Sequence, residues 1–394
     1  MKYDFDAAIS RTDTNSAKWD YLESIFGTED VLPLWVADMD FASPPCVVEA
    51  LVARAKHPVY GYPGTPQALF EAASQWMAHR FNIQVQPEWM TAVSGVISGL
   101  HAAVEAFTRP GDKIIVQPPV YPPFFKVALS RGRYVIENPL REQNGYYVMD
   151  FEDLRSKIDD RTKLLILCSP HNPVGRVWTK EELAHVAAIC VEHDIIILTD
   201  EIHADLVYEK NTHTPFASLG PEASKRCITF LSPSKTFNVA GLFTSIAFTE
   251  HTGLLKRLKA SVRKAGTDHI NLFGIEACIA AYKGGEEWLE EVLVYLKGNA
   301  TYIERFLQER LPQIQMRIPE ATYLGWLDFR EFGFSAGELK RFIVEEARLG
   351  FNDGASFGTG GEGFQRINFG CSRAVLEEAM LRLEKAVSVY ERRM

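Results

Sequence analysis

Hydrophobic positions along the chain fall into short dense blocks separated by longer amphipathic stretches. Ile114–Gln117, Leu164–Ser169, Ile195–Thr199, Ile228–Ser232 and Ser245–Phe248 are runs of mostly apolar, often β-branched residues closed by polar ones. That is the pattern of strands buried on both faces. Between these blocks, Ser98–Thr108 and Lys180–His193 space their apolar residues as helices do. Thr179 followed by Glu182 predicts a capping box at the start of the second helix. Strand–helix alternation of this kind predicts a mainly parallel sheet covered by helices on both faces. From about Glu286 to Arg310 the pattern is that of one long amphipathic helix. After Pro319 it changes to a strand near Tyr323–Phe329, a helix near Gly337–Leu349, a strand at Arg366–Phe369 and a final helix. The first 45 residues are irregular and carry several prolines. The expected organisation is therefore an N-terminal segment (1–45) packing with a small domain, a large α/β domain (46–285), and a bridging helix with a small α+β domain (286–394). The sequence contains no internal repeat and no low-complexity tract.

Composition narrows the function classes. The 394 residues are 46% hydrophobic and 24% charged, an ordinary globular balance. Lys plus Arg is 42 against 51 for Asp plus Glu, a net charge of −9. That argues against a nucleic-acid or anionic-membrane partner, since both require a basic face. The basic stretch KRLKASVRK (Lys256–Lys264) reads as a solvated helix face. No apolar run approaches the roughly 18 residues of a membrane span, and the start of the chain lacks the order of a signal peptide. The six cysteines are scattered with no CxxC pair, which reads as buried reduced thiols in a cytoplasmic setting. Histidine spacing offers no metal motif.

Candidate chemistry collects where the strands end. Leu164–Ser169 runs into His171, Asn172 and Pro173; Ile195–Thr199 runs into Asp200, Glu201 and His203; Ile228–Leu231 runs into Ser232, Ser234 and Lys235. In open α/β sheets the carboxyl ends of parallel strands form the ligand crevice. A lysine there can link covalently to a carbonyl cofactor, and a carboxylate can keep a pyridine nitrogen protonated. Hydroxyls beside the lysine, with the backbone N–H groups of a helix start such as SGVISG (Ser94–Gly99), can hold a phosphate. Each residue alone is ordinary: a lysine after a strand is commonly a surface group, and Asn172 before Pro173 is a turn signal. Together they point to pyridoxal 5'-phosphate.

The order Asn172, Asp200, Lys235, Arg366, with gaps of 28, 35 and 131, resembles the fold-type I PLP-dependent aminotransferase class I/II superfamily. More narrowly, six stretches resemble the MalY/PatB-like cystathionine β-lyase (C–S lyase) subgroup: WVADMDF (Trp35–Phe41), GYP (Gly61–Pro63), SPHNPVGRVW (Ser169–Trp178), DEIHADLV (Asp200–Val207), SPSKTFNVAGL (Ser232–Leu242) and RINFGCSR (Arg366–Arg373). The resemblance implies that Lys235 links to the cofactor and then moves the substrate α-proton. It implies that Asp200 pairs with the ring nitrogen, that Asn172 and His203 approach the ring's phenolic oxygen, and that Tyr121 stacks on the ring. Ser232, Ser234 and the N–H groups of Val96 and Ile97 would hold the phosphate. Arg366 would grip the substrate carboxylate. Tyr62, with Tyr60 as the second candidate, would reach the phosphate of a neighbouring subunit, which implies a homodimer with shared active sites.

Two positions depart from the aspartate-type aminotransferases: Phe243 and His203 stand where those enzymes carry an arginine and a tyrosine. Both departures fit the lyase group. The expected reaction is α,β-elimination from a small-molecule sulfur amino acid such as L-cystathionine, giving a thiol, pyruvate and ammonia. An aminotransferase is the alternative, and a regulatory binding protein on the same fold is the alternative from a different class. A nicotinamide-dependent dehydrogenase lacks the glycine fingerprint between strand and helix; GTGGEG (Gly358–Gly363) reads as a loop before Arg366.

Overall fold

The computed structural model describes residues 2–393. Its centre is a seven-stranded sheet: β1 (Met90–Val93), β2 (Lys113–Val116), β3 (Tyr134–Glu137), β4 (Thr162–Cys168), β5 (Ile196–Asp200), β6 (Cys227–Leu231) and β7 (Ser245–Phe248). The spatial order is β1-β7-β6-β5-β4-β2-β3. Only β7 runs against its neighbours, pairing antiparallel with both β1 and β6. The five strands predicted from apolar blocks are all present, Ser245–Phe248 at the expected bounds and the other four displaced by one or two residues. β1 and β3 were not anticipated. MTAV and YVIE are four-residue strands at the two sheet edges.

Alternation along β4 shows how the sheet is clothed. Leu164, Ile166 and Cys168 pack into one core with Leu100 and Val104 of the helix Val96–Phe107. Leu165 and Leu167 pack into another with Leu183, Val186 and Ile189 of the helix Lys180–Glu192. Each fully buried leucine contributes about 1.5–3 kcal/mol. Thr179 and Glu182 form the expected capping box at the second helix.

The long helix spans Glu286–Arg310 and leads to a three-stranded antiparallel sheet of β8 (Leu324–Asp328), β9 (Asn352–Asp353) and β10 (Phe364–Asn368), ordered β8-β10-β9. The helix expected near Gly337–Leu349 begins at Ala336 behind a Ser335–Glu338 capping box, and past Arg341 it widens into a π-helical turn ending at Glu346. The final helix is Arg373–Glu391. Within the first 45 residues, Leu32–Pro33 pairs in parallel with Leu349–Gly350. The basic stretch lies on the helix Thr252–Lys264, which buries Leu254, Leu255, Leu258 and Val262 and turns Lys256, Arg257, Arg263 and Lys264 to solvent. Among the described residues no helix is long and apolar enough to cross a membrane.

Candidate active site

Register brings the strand ends level. Cys168 pairs with Asp200, and Asp200 with Phe230. Asn172 follows the end of β4 by four residues, Asp200 closes β5, and Lys235 follows the end of β6 by four. Three positions far apart in sequence therefore open into one cavity of about 240 Å³, walled also by Val96, Ile97, Tyr121, His203, Ser232 and Ser234. Ten of the predicted site residues thus meet here or adjoin it, because Arg366 reaches the cavity through Asn172. Its Nη1 donates to Asn172 Oδ1 at 3.0 Å, and its Nη2 donates to Asn352 Oδ1 at 2.6 Å and to the Trp35 carbonyl at 2.9 Å. Tyr62 is the exception. It is 98% exposed, away from this cavity, with its ring 6.3 Å from that of His269. Tyr60 is also on the surface, donating to the Ala55 carbonyl.

One rim of the cavity is a helix start. Gly95 has φ +99°, a conformation that favours glycine, and it turns the chain from β1 into the helix Val96–Phe107. Gly99, one turn on, lies against Phe230: a Cβ there would come within 2.6 Å of that ring. The helix therefore sits hard against the sheet with its free N–H groups at the cavity, an arrangement suited to a phosphate. Across from it, the Ser232 hydroxyl caps the turn Pro233–Thr236, accepting from Ser234 N–H, and donates to the Thr244 carbonyl at 2.8 Å. Ser232 spends its proton on structure, which leaves Ser234 as the freer hydroxyl. That bond also ties the lysine segment to the start of β7, so Phe243, Thr244 and Ser245 complete the same wall.

Electrostatics follow from burial. Asp200 accepts from Ile202 N–H at 3.1 Å, and no cation among the described residues forms an ion pair with it. Burial pushes its carboxyl up to about 7, against the pull of Lys235. Burial lowers Lys235 to about 8; Asp38 and Asp200 oppose that shift and Arg366 adds to it. His203 is pushed down to about 3 by burial and then by the charges of Lys235 and Arg366, so its ring is neutral. Lys235 Nζ donates to the Ala37 carbonyl at 2.7 Å, and Tyr323 donates to the same oxygen at 2.9 Å. His203 Nδ1 and Arg366 Nε are buried with no hydrogen-bond partner.

Sequence reasoning missed Asn352, Tyr323 and the main chain of 35–37. Trp35–Phe41 was noticed as a motif, but its contribution runs through carbonyl groups that every residue carries. A larger recess of about 800 Å³, between the hairpin 141–148, the end of the long helix and β8, contains none of the predicted residues. Among the described residues no group of three or more His, Cys, Asp or Glu side chains is arranged to hold a metal ion.

Residues 29–383 match the family described as aminotransferase class I and II. The chain belongs to that family. Within the aminotransferase class I and II family, the chain is 42% identical over 385 residues to cystathionine beta-lyase PatB of Bacillus subtilis, covering 98% of this chain and all of that one. It is 31% identical over 388 residues to protein MalY of Escherichia coli, covering 98% and 99%. Among solved structures it superposes with a TM-score of 0.96 on cystalysin of Treponema denticola, which contains a pyridoxal 5'-phosphate cofactor; identity is 36%, with 99% and 100% of the two chains covered. The residues present fit such a group. A buried carboxyl without a cation suits a protonated pyridine nitrogen, the glycine-led helix start suits the phosphate, and the unpartnered Nε–H of Arg366 and ring nitrogen of His203 suit the polar atoms of a ligand.

Proposed function

We infer that the chain is a pyridoxal 5'-phosphate-dependent carbon–sulfur lyase of the cystathionine β-lyase type, eliminating a thiol from L-cystathionine or a related β-thio L-amino acid. The observation that carries this reading is the convergence of Lys235, Asp200, Asn172 and Arg366 on one cavity in a chain 42% identical to a cystathionine β-lyase along its whole length. When bound, the cofactor supplies a carbonyl that captures amines and a ring that spreads negative charge from the substrate's α-carbon.

The chain's own residues do the rest. The helix start at Val96–Ile97 and the Ser234 hydroxyl bind the phosphate, with Ser232 shaping their turn. Asp200 holds a proton on the ring nitrogen, and its ionised form is favoured once that cation is beside it. Asn172, neutral His203 and Tyr121, which line the cavity, would hold and orient the cofactor ring. Arg366, kept in place by Asn352 and Trp35, grips the substrate carboxylate with a charge-assisted pair. This turns the α-hydrogen toward Lys235. With its basicity lowered by burial, the Lys235 amine takes that proton at Nζ near neutral pH and can return it to a leaving group. Once the β-thiolate has left, water would hydrolyse the remaining three-carbon part of the substrate to pyruvate and ammonia.

The same reading makes the protein a cytoplasmic homodimer. Fully exposed Tyr62 then serves the cavity of a second copy, and all six cysteines remain free thiols. It also divides the chain at residues 46 and 286. The deciding experiment is pyruvate release from L-cystathionine by the cofactor-loaded protein without any keto acid, with Lys235→Ala alongside. Steady release that vanishes in the variant supports the lyase. Turnover only when a keto-acid acceptor is added makes the chain an aminotransferase.

A further inference from the structure

The Trp35–Phe41 segment meets the site with its main chain. The Trp35 carbonyl accepts from Arg366, those of Val36 and Asp38 from Asn368, that of Ala37 from Lys235 and Tyr323, and those of Met39 and Phe41 from Asn238. It is a strap laid across the cavity-forming side chains. Its acidic side chains turn into a separate ion cluster. Arg11 forms a two-pronged pair with Asp38 at 2.9 and 2.7 Å and donates to Asp40 Oδ1 at 2.6 Å. Lys18, fully buried, donates to Asp40 Oδ2 at 2.6 Å and stands 4.0 Å from Asp38. Two carboxylates thus meet two cations, both of which arrive from near the start of the chain.

We propose that Arg11 is a positioning residue for Lys235: by clamping Asp38 it fixes the neighbouring Ala37 carbonyl that holds the lysine amine, and it sets how much negative charge that amine feels. The inference rests on the role given to Lys235 above. Asp38 is adjacent in sequence to the carbonyl that Lys235 touches, and Arg11 neutralises it in the fork geometry that matches a carboxylate. The other groups bearing on the amine are Asp200 from β5, Arg366 from β10, neutral His203, and the Tyr323 hydroxyl that shares the Ala37 carbonyl. Asp38 is the one carboxylate among them whose charge is compensated by a residue outside the cavity wall. With Arg11 side-chain exposure at 22%, solvent screens only part of its effect.

The sign follows directly. Removing the Arg11 cation leaves Asp38 less compensated, which favours the protonated nitrogen of Lys235; removing the Asp38 charge does the reverse. The experiment is a pH titration of the visible absorption band of the lysine-linked cofactor in the loaded protein, with melting temperature recorded in parallel. In Arg11→Ala the midpoint should rise by about half to one pH unit, Arg11→Lys should restore most of the wild-type value, and Asp38→Asn should move it down. An Arg11→Ala midpoint within about 0.2 unit of wild type, a figure well below the expected charge effect, overturns the proposal. So does an equal shift in Arg11→Ala and Arg11→Lys, which marks a merely structural role. If Arg11→Ala does not fold, Arg11→Lys and Asp38→Asn decide, and a midpoint unmoved or raised in Asp38→Asn overturns it. A wild-type protein that forms no visible band overturns the cofactor assignment itself, a different result from a band that does not move.

Discussion

The two halves of the cavity are built on different principles. On the sheet side, Asn172, Asp200 and Lys235 stand at the ends of three adjacent parallel strands, and their side chains carry the chemistry. On the opposite side, the strap 35–41 lies mainly outside regular structure and offers carbonyl oxygens, while Arg366, Asn368 and Tyr323 reach into it from β10 and the approach to β8. The sheet side is held by two apolar cores and ladder hydrogen bonds. The strap side is held by side-chain amides, a guanidinium and an ion cluster. Reactive groups are therefore mounted on the rigid wall, and what surrounds them is tuned from the other.

Breaking the sheet side should have the largest effect. Lys235→Ala should lower pyruvate release by about a thousandfold or more, since both the link to the cofactor and the proton shuttle are lost. A visible absorption band that survives in that variant would count against the assignment. Next comes the join between the halves: Arg366→Lys should cut kcat/KM about a hundredfold, mostly through KM, because a lysine cannot reproduce the two-pronged grip. Asn352→Ala should cost about tenfold by letting Arg366 swing.

A third test separates charge from packing. In the cofactor-free protein Asp200 sits near 7, above its ordinary 3.8. The folded state therefore binds the extra proton, and stability should fall as pH rises from about 4 to about 7. Asp200→Asn should flatten that loss, by about 1–4 kcal/mol at pH 8 in urea unfolding. An unchanged slope would mean the carboxyl is not desolvated. On the strap side, Asn368→Ala removes donors to two carbonyls and should cost about 2–4 kcal/mol, while the absorbance of the loaded protein keeps its wavelength. The smallest effect should be Thr179→Ala: about 1 kcal/mol from the lost helix cap, with kinetics unchanged.

The contrast also explains what the sequence made legible. Apolar blocks gave five of seven central strands, and the capping box at Thr179 was readable because side chains alone specify it. Lys235, Asp200 and Asn172 stood out as polar residues at the ends of buried strands. Asn352 did not, because it lies in a two-residue strand whose partner is set only by the tertiary fold. The carbonyls of Trp35 and Ala37 left no trace, since a main-chain acceptor is present at every position. Nothing in the irregular first 45 residues marks Arg11 or Lys18, yet Lys18 is fully buried.

The reversed strand β7 carries one more consequence. Because it runs against its neighbours, its beginning, not its end, lies at the cavity, and the Ser232–Thr244 hydrogen bond ties off the loop that carries Lys235. The connection has little slack. A residue inserted between Lys235 and Ser245 has only the exposed turn at Gly241–Phe243 to occupy, and anywhere else would shift either the amine or the strand register. Length variation among workable sequences should therefore gather elsewhere, in turns such as the exposed hairpin near Asn144, and this short stretch should act as a fixed ruler within an otherwise adjustable chain.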